Sequence, residues 1–205
     1  MTSLDEAPTV SLVIPARNAE RTIDACLDAA TRIVGRDHLV EVLLVDDGST
    51  DRTRDVASRY PIRVLDGDGR GAAAARNVGW RAARSPWIWF IDADCVPRPD
   101  ALALLRPHLA GIPDVAAAGG SYDNLCGQSW VASLVHEEIV ERHRRMPTEV
   151  TVLASYHVLY RRDVLDEVGG FDATCRWAHD AELAYRVGKA GYRLHFHRDS
   201  RVGHV

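Results

Sequence analysis

A chain of 205 residues with 46% hydrophobic and 26% charged residues has the usage of an ordinary globular domain, which excludes disordered and fibrous classes. Its 25 Lys and Arg against 29 Asp and Glu give a net charge of -4, so it has no general attraction for nucleic acid or an anionic membrane. No stretch approaches the ~18 apolar residues of a membrane-spanning helix, and the N-terminal MTSLDEAPT lacks the basic-then-apolar order of a signal sequence.

The first apolar run is VSLVIP (Val10 to Pro15), and Ile23, Cys26, Leu27 and Ala30 behind it form one stripe at helical spacing. VEVLLV (Val40 to Val45) is the second; it closes on DDGSTD, where Asp47, Gly48, Ser49 and Asp51 supply turn and N-cap chemistry for a short helix over 51–58. IRVL (Ile62 to Leu65) leads through a glycine loop into an alanine-rich helix carrying Arg76 and Asn77. WIWFI (Trp87 to Ile91) is apolar on both faces and runs into Asp92 and Asp94. This is the βαβ rhythm of an open parallel sheet, where ligands gather at the carboxyl ends of the strands.

Further on the regularity loosens. PDALALLRPHL (99–109) puts Leu102, Leu105 and Leu109 on one side of a helix, and DVAAAGG reads as a strand ending in glycines. Residues 130–144 predict an amphipathic helix with Val131, Leu134, Val135 and Ile139 inward. SYHVLY (155–160) alternates like a strand, 180–189 is helical, and YRLHFH (192–197) is a last short strand. Cys26, Cys95, Cys126 and Cys175 show no CxxC spacing, so free, mostly buried thiols and a cytoplasmic setting are expected.

Four acidic or basic strings carry candidate chemistry, each with a plain structural reading beside it. Asp92 and Asp94 converge on one side if extended geometry continues through Ala93, and with no Lys or Arg nearby in sequence they suit a hard divalent cation; otherwise they are a solvated turn with a cap. Asp46 and Asp47, in VDDGSTD, either accept from the donor groups of a base or ribose or only shape a turn. Arg76 and Asn77 lie one turn into a helix of small residues, placed for a diphosphate or on a solvated face. The glycines 67, 69 and 71 fail the dinucleotide spacing GxGxxG. Asp180 is either an N-terminal cap or a general base at the mouth of a ligand site.

Taken together, VSLVIPARNAE, LLVDDGSTD, GAAAARNVGWRAA, WIWFIDADC, VLYRRDVLDEVGGFD, HDAELAYRVGKAGY and VGHV resemble, in order and spacing, the inverting glycosyltransferases of family 2. The resemblance implies an α/β chain of GT-A fold: one Rossmann-like domain with a mixed, mostly parallel central sheet flanked by helices. Residues 1–95 would form its nucleotide-binding half and 96–205 its acceptor-binding half. It implies that Pro15, Ala16, Arg17 and Glu20 border the nucleotide, that Asp47 holds the base with Asp46 supporting its loop, and that Arg76 and Asn77 lie by the nucleotide and diphosphate. Asp92 and Asp94 would be the DxD motif, Asp94 binding Mn²⁺ or Mg²⁺ and Asp92 reaching the ribose or a metal water. Asp180 would be the catalytic base, and His204 a contact to the metal or diphosphate. A uracil imide suits Asp47, which favours a UDP-sugar donor; the hydroxyl acceptor is not specified.

Two departures from the family pattern stand out. His179 replaces the usual Glu before the base, and the sequence stops one residue after His204, so residues near 120–150, a partner or a homo-oligomer are expected to complete the acceptor site. Three other readings compete. A haloacid dehalogenase-type phosphatase carries its DxD at the first strand, which here ends in PARNAE, and a nucleotidyltransferase needs a glycine-rich signature that is absent. A non-catalytic sugar-nucleotide-binding or scaffold subunit has no use for Asp92, Asp94 and Asp180 together. Trp130, Tyr122, Trp177 and Tyr156 are candidate sugar platforms, although such residues are commonly core.

Overall fold

The computed structural model describes residues 8–125, 130–175 and 177–205. The first half alternates as its hydrophobic runs dictate: β1 (Val10–Ala16), α1 (Ile23–Arg32), β2 (Leu39–Asp46), α2 (Thr53–Ala57), β3 (Arg63–Asp66), α3 (Ala72–Ala82) and β4 (Trp87–Ile91). These strands lie in the order β3-β2-β1-β4, all parallel. β1 and β4 are buried along their whole length, which is why they carry continuous rather than alternating apolar runs. Leu12 and Ile14 face a core layer shared with Ile23, Cys26 and Leu27 of α1. Val13 faces the opposite layer with Ala75 and Trp80 of α3.

The second half holds β5 (Cys95–Pro97), α4 (Ala101–Leu105) with a 3₁₀ turn over Arg106–His108, β6 (Val115–Asn124), α5 (Trp130–Arg145) and β7 (Glu149–Val150). It ends with β8 (His157–Arg161), α6 (Arg162–Val168), α7 (His179–Lys189) and β9 (Arg193–His204). The same sheet continues β4-β8-β6-β9-β5, with β7 beside β9. β8 runs antiparallel to both neighbours, whereas β6 and β9 form a long parallel pair, so the sheet is mixed and mostly parallel.

Several expectations need correction. β8 does not alternate: His157 to Tyr160 are all buried, because the strand is central and covered on both faces. β9 runs on to His204 instead of stopping at 197, since a bulge between the His197 and Arg201 pairings restores its register with β6. Leu134, expected inward on α5, is 57% exposed. The side chains of Trp130, Val131 and Val135 lie outside the described residues, as does Cys126. Cys26, Cys95 and Cys175 are free thiols. Among the described residues no helix is long and apolar enough to cross a membrane.

Two positions show how tightly the sheet is held. A Cβ added to Gly79 of α3 would lie 2.2 Å from Cγ1 of Val13 and 3.1 Å from Cγ2 of Val45, so this helix touches β1 and β2 nearly backbone to side chain. Gly79→Ala is expected to lose about 1–3 kcal/mol despite the better helix propensity of alanine, read as a lower urea midpoint at unchanged slope. A midpoint at or above wild type would show that the helix can lift without cost.

His157 of β8 is fully buried; its Nδ1 accepts from Trp89 Nε1 at 3.1 Å and its Nε2–H meets Ser200 Oγ at 2.8 Å. Ser200 in turn donates to the carbonyl of Ala101 at 2.8 Å, which pins the bulge of β9. Burial pushes this imidazole down to about 3, from an ordinary value of 6.5. Below pH 6.5 the unfolded chain therefore takes up a proton that the folded chain refuses, and stability falls on acidification until about pH 3. His157→Gln should remove that slope, of up to ~1.4 kcal/mol per pH unit, from unfolding titrations at pH 4–6.5. An unchanged slope would mean that the folded state admits the proton.

Candidate active site

The carboxyl ends of β2, β1 and β4 lie side by side at one edge of the sheet. At the end of β2, buried Asp46 accepts from Ser49 N–H at 3.2 Å and from Arg54 Nη1 at 3.2 Å, and Arg54 also reaches Asp66 on β3 at 2.5 Å. Asp47, also buried, accepts from Gly69 N–H at 2.9 Å and Gly71 N–H at 2.7 Å. Gly67 passes so close that a Cβ there would meet Asp47 Oδ1 at 2.8 Å. The glycine string thus wraps its backbone donors around Asp47, and a base would have to use the remaining lone pairs or displace the loop.

The loop after β1 is tied to the same place. Pro15 and Ala16 are buried and Arg17 is exposed. Asn18 N–H donates to Ser49 Oγ at 2.9 Å, Thr50 N–H donates to Asn18 Oδ1 at 2.8 Å, and the Glu20 carboxylate accepts from Arg52 N–H at 3.1 Å. Asn18, with φ 51 and this clasp, carries no sequence signal beyond a turn residue.

Asp92 and Asp94 do not converge as an extended pair. β4 ends at Ile91, and Cys95 N–H returns to the Asp92 carbonyl at 3.0 Å, closing a turn that sends the two carboxylates to different partners. Asp92 Oδ1 accepts from Arg76 Nη2 at 2.5 Å, so the compensating cation that the local sequence lacks comes from α3. Arg76 is only 3% exposed, which removes the solvated-face reading. Its Nη1 lies 3.0 Å from Nε2 of His179, and its guanidinium sits 5.7 Å from the ring centre of Phe171. Asn77 does not join it: its amide bonds both backbone groups of Phe171, at 2.7 and 3.0 Å, and accepts from Trp80 Nε1 at 2.9 Å. One residue along a helix is a turn of about 100°, enough to separate the two side chains.

Asp180 is not the cap of α7. Ala178, with φ 58, holds that position, and Asp180 lies in the first turn, where its Oδ1 accepts from Ser155 Oγ at 2.6 Å. Ser155 is buried and was invisible in the sequence as a site residue. The result is one polar chain: Asp92, Arg76, His179, Asp180, Ser155.

Asp94 turns instead to His204, with Oδ2 3.4 Å from Nε2 and both side chains nearly half exposed. The pairing of Cys95 with His204 across β5 and β9 brings them together. Two ligands of one divalent ion are separated by about 3.0–3.5 Å, so this oxygen–nitrogen pair fits an open cation site. Asp92 has one carboxylate oxygen on Arg76. Among the described residues no group of three His, Cys, Asp or Glu converges on a metal position. Burial, and then the charges of Asp94 and Asp92, push the neighbouring Cys95 thiol well above its ordinary range.

Residues 11–169 match the family model described as glycosyl transferase family 2. The chain belongs to glycosyl transferase family 2. It is 27% identical over 199 residues to the glycosyltransferase AglE of Haloferax volcanii, covering 94% of this chain and 65% of the relative. It is 30% identical over 206 residues to the pre-mycofactocin glycosyltransferase of Mycobacterium tuberculosis, covering 95% of this chain and 42% of the relative. This family 2 chain therefore spans only part of the length of those relatives. The mannosyltransferase PcManGT of Pyrobaculum calidifontis, solved with GDP-Man and Mn²⁺, superposes with a TM-score of 0.74 at 23% identity, covering 98% of this chain and 58% of that one. TarS 1-349 of S. aureus, solved with UDP-GlcNAc, gives 0.72 at 19% identity, covering 95% and 58%. The fold of this family 2 member is GT-A.

Proposed function

We propose that this chain is a metal-dependent inverting glycosyltransferase that moves a sugar from a nucleoside diphosphate donor, UDP-linked in preference, to an acceptor hydroxyl. The reading rests on the placement of Arg76 between Asp92 and His179, with His179 3.4 Å from Asp180, which brings the DxD turn and the candidate base to one place. Residues 1–95 serve the nucleotide and 96–205 the acceptor. Relatives of this fold solved with GDP-Man and Mn²⁺ and with UDP-GlcNAc support a nucleotide-sugar donor.

In the proposed reaction Asp94 and His204 would hold Mn²⁺ or Mg²⁺, and the ion would supply Lewis-acid stabilisation of the departing diphosphate's charge. Arg76 orients Asp92 toward the ribose. Ser155 fixes one oxygen of Asp180, and the other takes the proton of the acceptor hydroxyl. The hydroxyl oxygen bonds the anomeric carbon as the bond to the diphosphate breaks, and single displacement inverts that carbon. Of the aromatic candidates, Tyr122 and Tyr156 pack edge to face at 5.1 Å, whereas Trp177, 86% exposed and three residues before Asp180, is open to an acceptor sugar.

Release of nucleoside diphosphate from UDP-glucose, UDP-N-acetylglucosamine and GDP-mannose, with Mn²⁺ and with EDTA, tests the function. Asp94→Ala should lower Mn²⁺-supported nucleotide affinity at least about tenfold while leaving the affinity in EDTA unchanged. A Mn²⁺ response equal to wild type would remove Asp94 from the metal site.

A further inference from the structure

Arg76 is a buried, permanently charged donor with no acceptor capacity, so the 3.0 Å contact from its Nη1 requires a lone pair on His179 Nε2. The imidazole must then carry its proton on Nδ1. Nε2 also lies 3.4 Å from Asp180 Oδ1, but with its lone pair turned to Arg76 it has no proton to give that carboxylate. Among the described residues the hydrogen bond that fixes Asp180 comes from the other side, from Ser155. Arg76 Nε has no hydrogen-bond partner among the described residues, so Asp92 and His179 are what restrain the guanidinium.

We propose that His179 is a positioning residue: its unprotonated Nε2 accepts from Arg76 and keeps the guanidinium from pairing with the base Asp180. A family-typical glutamate would hold Arg76 by charge and compete with Asp92 for it. A neutral imidazole holds the same proton without competing, so Arg76 stays paired one to one with Asp92, and Asp180 keeps an oxygen for the acceptor proton. Removing the imidazole leaves the cation and the base carboxylate facing each other across its place. The role of Asp180 here rests on the proposed glycosyl transfer; the tautomer of His179 does not.

Two measurements separate these. In ¹H–¹⁵N long-range spectra of histidine-labelled protein, with His179 assigned by comparison with His179→Gln, the neutral ring should be protonated at Nδ1 and bare at Nε2. A protonated Nε2 overturns the proposal whatever the activity. Hydrolysis of the three nucleotide sugars, with water in place of the acceptor, then reads the base. His179→Ala should lower kcat about 30-fold with nucleotide affinity within about threefold of wild type. His179→Gln, whose carbonyl oxygen can accept from Arg76, should stay within about threefold in both. A fully active Ala variant, a Gln variant as slow as Ala, or a loss confined to nucleotide affinity would each refute the positioning role. A wild type that hydrolyses none of the three refutes the donor reading, and the tautomer decides alone.

Discussion

Asp180→Asn is expected to lower sugar transfer about 10³-fold while nucleotide affinity stays within about threefold. The amide is nearly isosteric and its oxygen can still accept from Ser155 Oγ, 2.6 Å away in the native site, so the first turn of α7 should not move. In the proposed mechanism, what is lost is the lone pair that takes the acceptor proton. In the proposed site the donor is held by residues at the ends of β2 and β4 and not by Asp180, which is why binding and turnover should separate. The measurement is kcat for nucleoside diphosphate release beside calorimetric nucleotide affinity. Loss of affinity with the fold intact would assign Asp180 to the donor and leave the base elsewhere.

Arg76→Met is the second large effect, and it should fall on activity rather than on stability. Breaking a buried ion pair commonly costs about 3–5 kcal/mol, because the abandoned partner stays buried and charged. Here Asp92 keeps 35% of its side-chain surface exposed, so water can serve it when the guanidinium is gone. Arg76 also carries a buried Nε with no partner among the described residues, a desolvation cost that methionine removes. The balance predicts unfolding within about 1 kcal/mol of wild type, with turnover reduced about 10²- to 10³-fold by loss of the cation that orders Asp92 and His179. A destabilisation of about 3 kcal/mol or more, with residual activity proportional to folded protein, would make the pair structural.

The parts of the site legible in the sequence were those signalled by a change of pattern. WIWFI running into Asp92 and VEVLLV running into Asp46 mark strand ends because an apolar run stops at a charge. Contacts that depend on register or on long-range approach gave no such signal. Ser155 meets Asp180 only because the loop before β8 passes the start of α7, and a single serine has no period. Arg76 and Asn77 read as one unit although a helix sends adjacent residues to different neighbours, Asp92 for one and Phe171 for the other. The glycines after β3 read as a failed phosphate cradle, while their backbone donors in fact close on Asp47. His204 meets Asp94 because a bulge carries β9 past the point where its alternation stops.

The measurement that bears most directly on the central claim is calorimetric titration of UDP, GDP, dTDP and CDP into the wild-type protein, each with Mn²⁺ and with EDTA. A donor site built on Asp94 and His204 predicts that one nucleotide binds with Mn²⁺ and at least about tenfold more weakly in EDTA. Binding of none, or binding indifferent to EDTA, would contradict a metal-assisted nucleotide-sugar site at these strand ends.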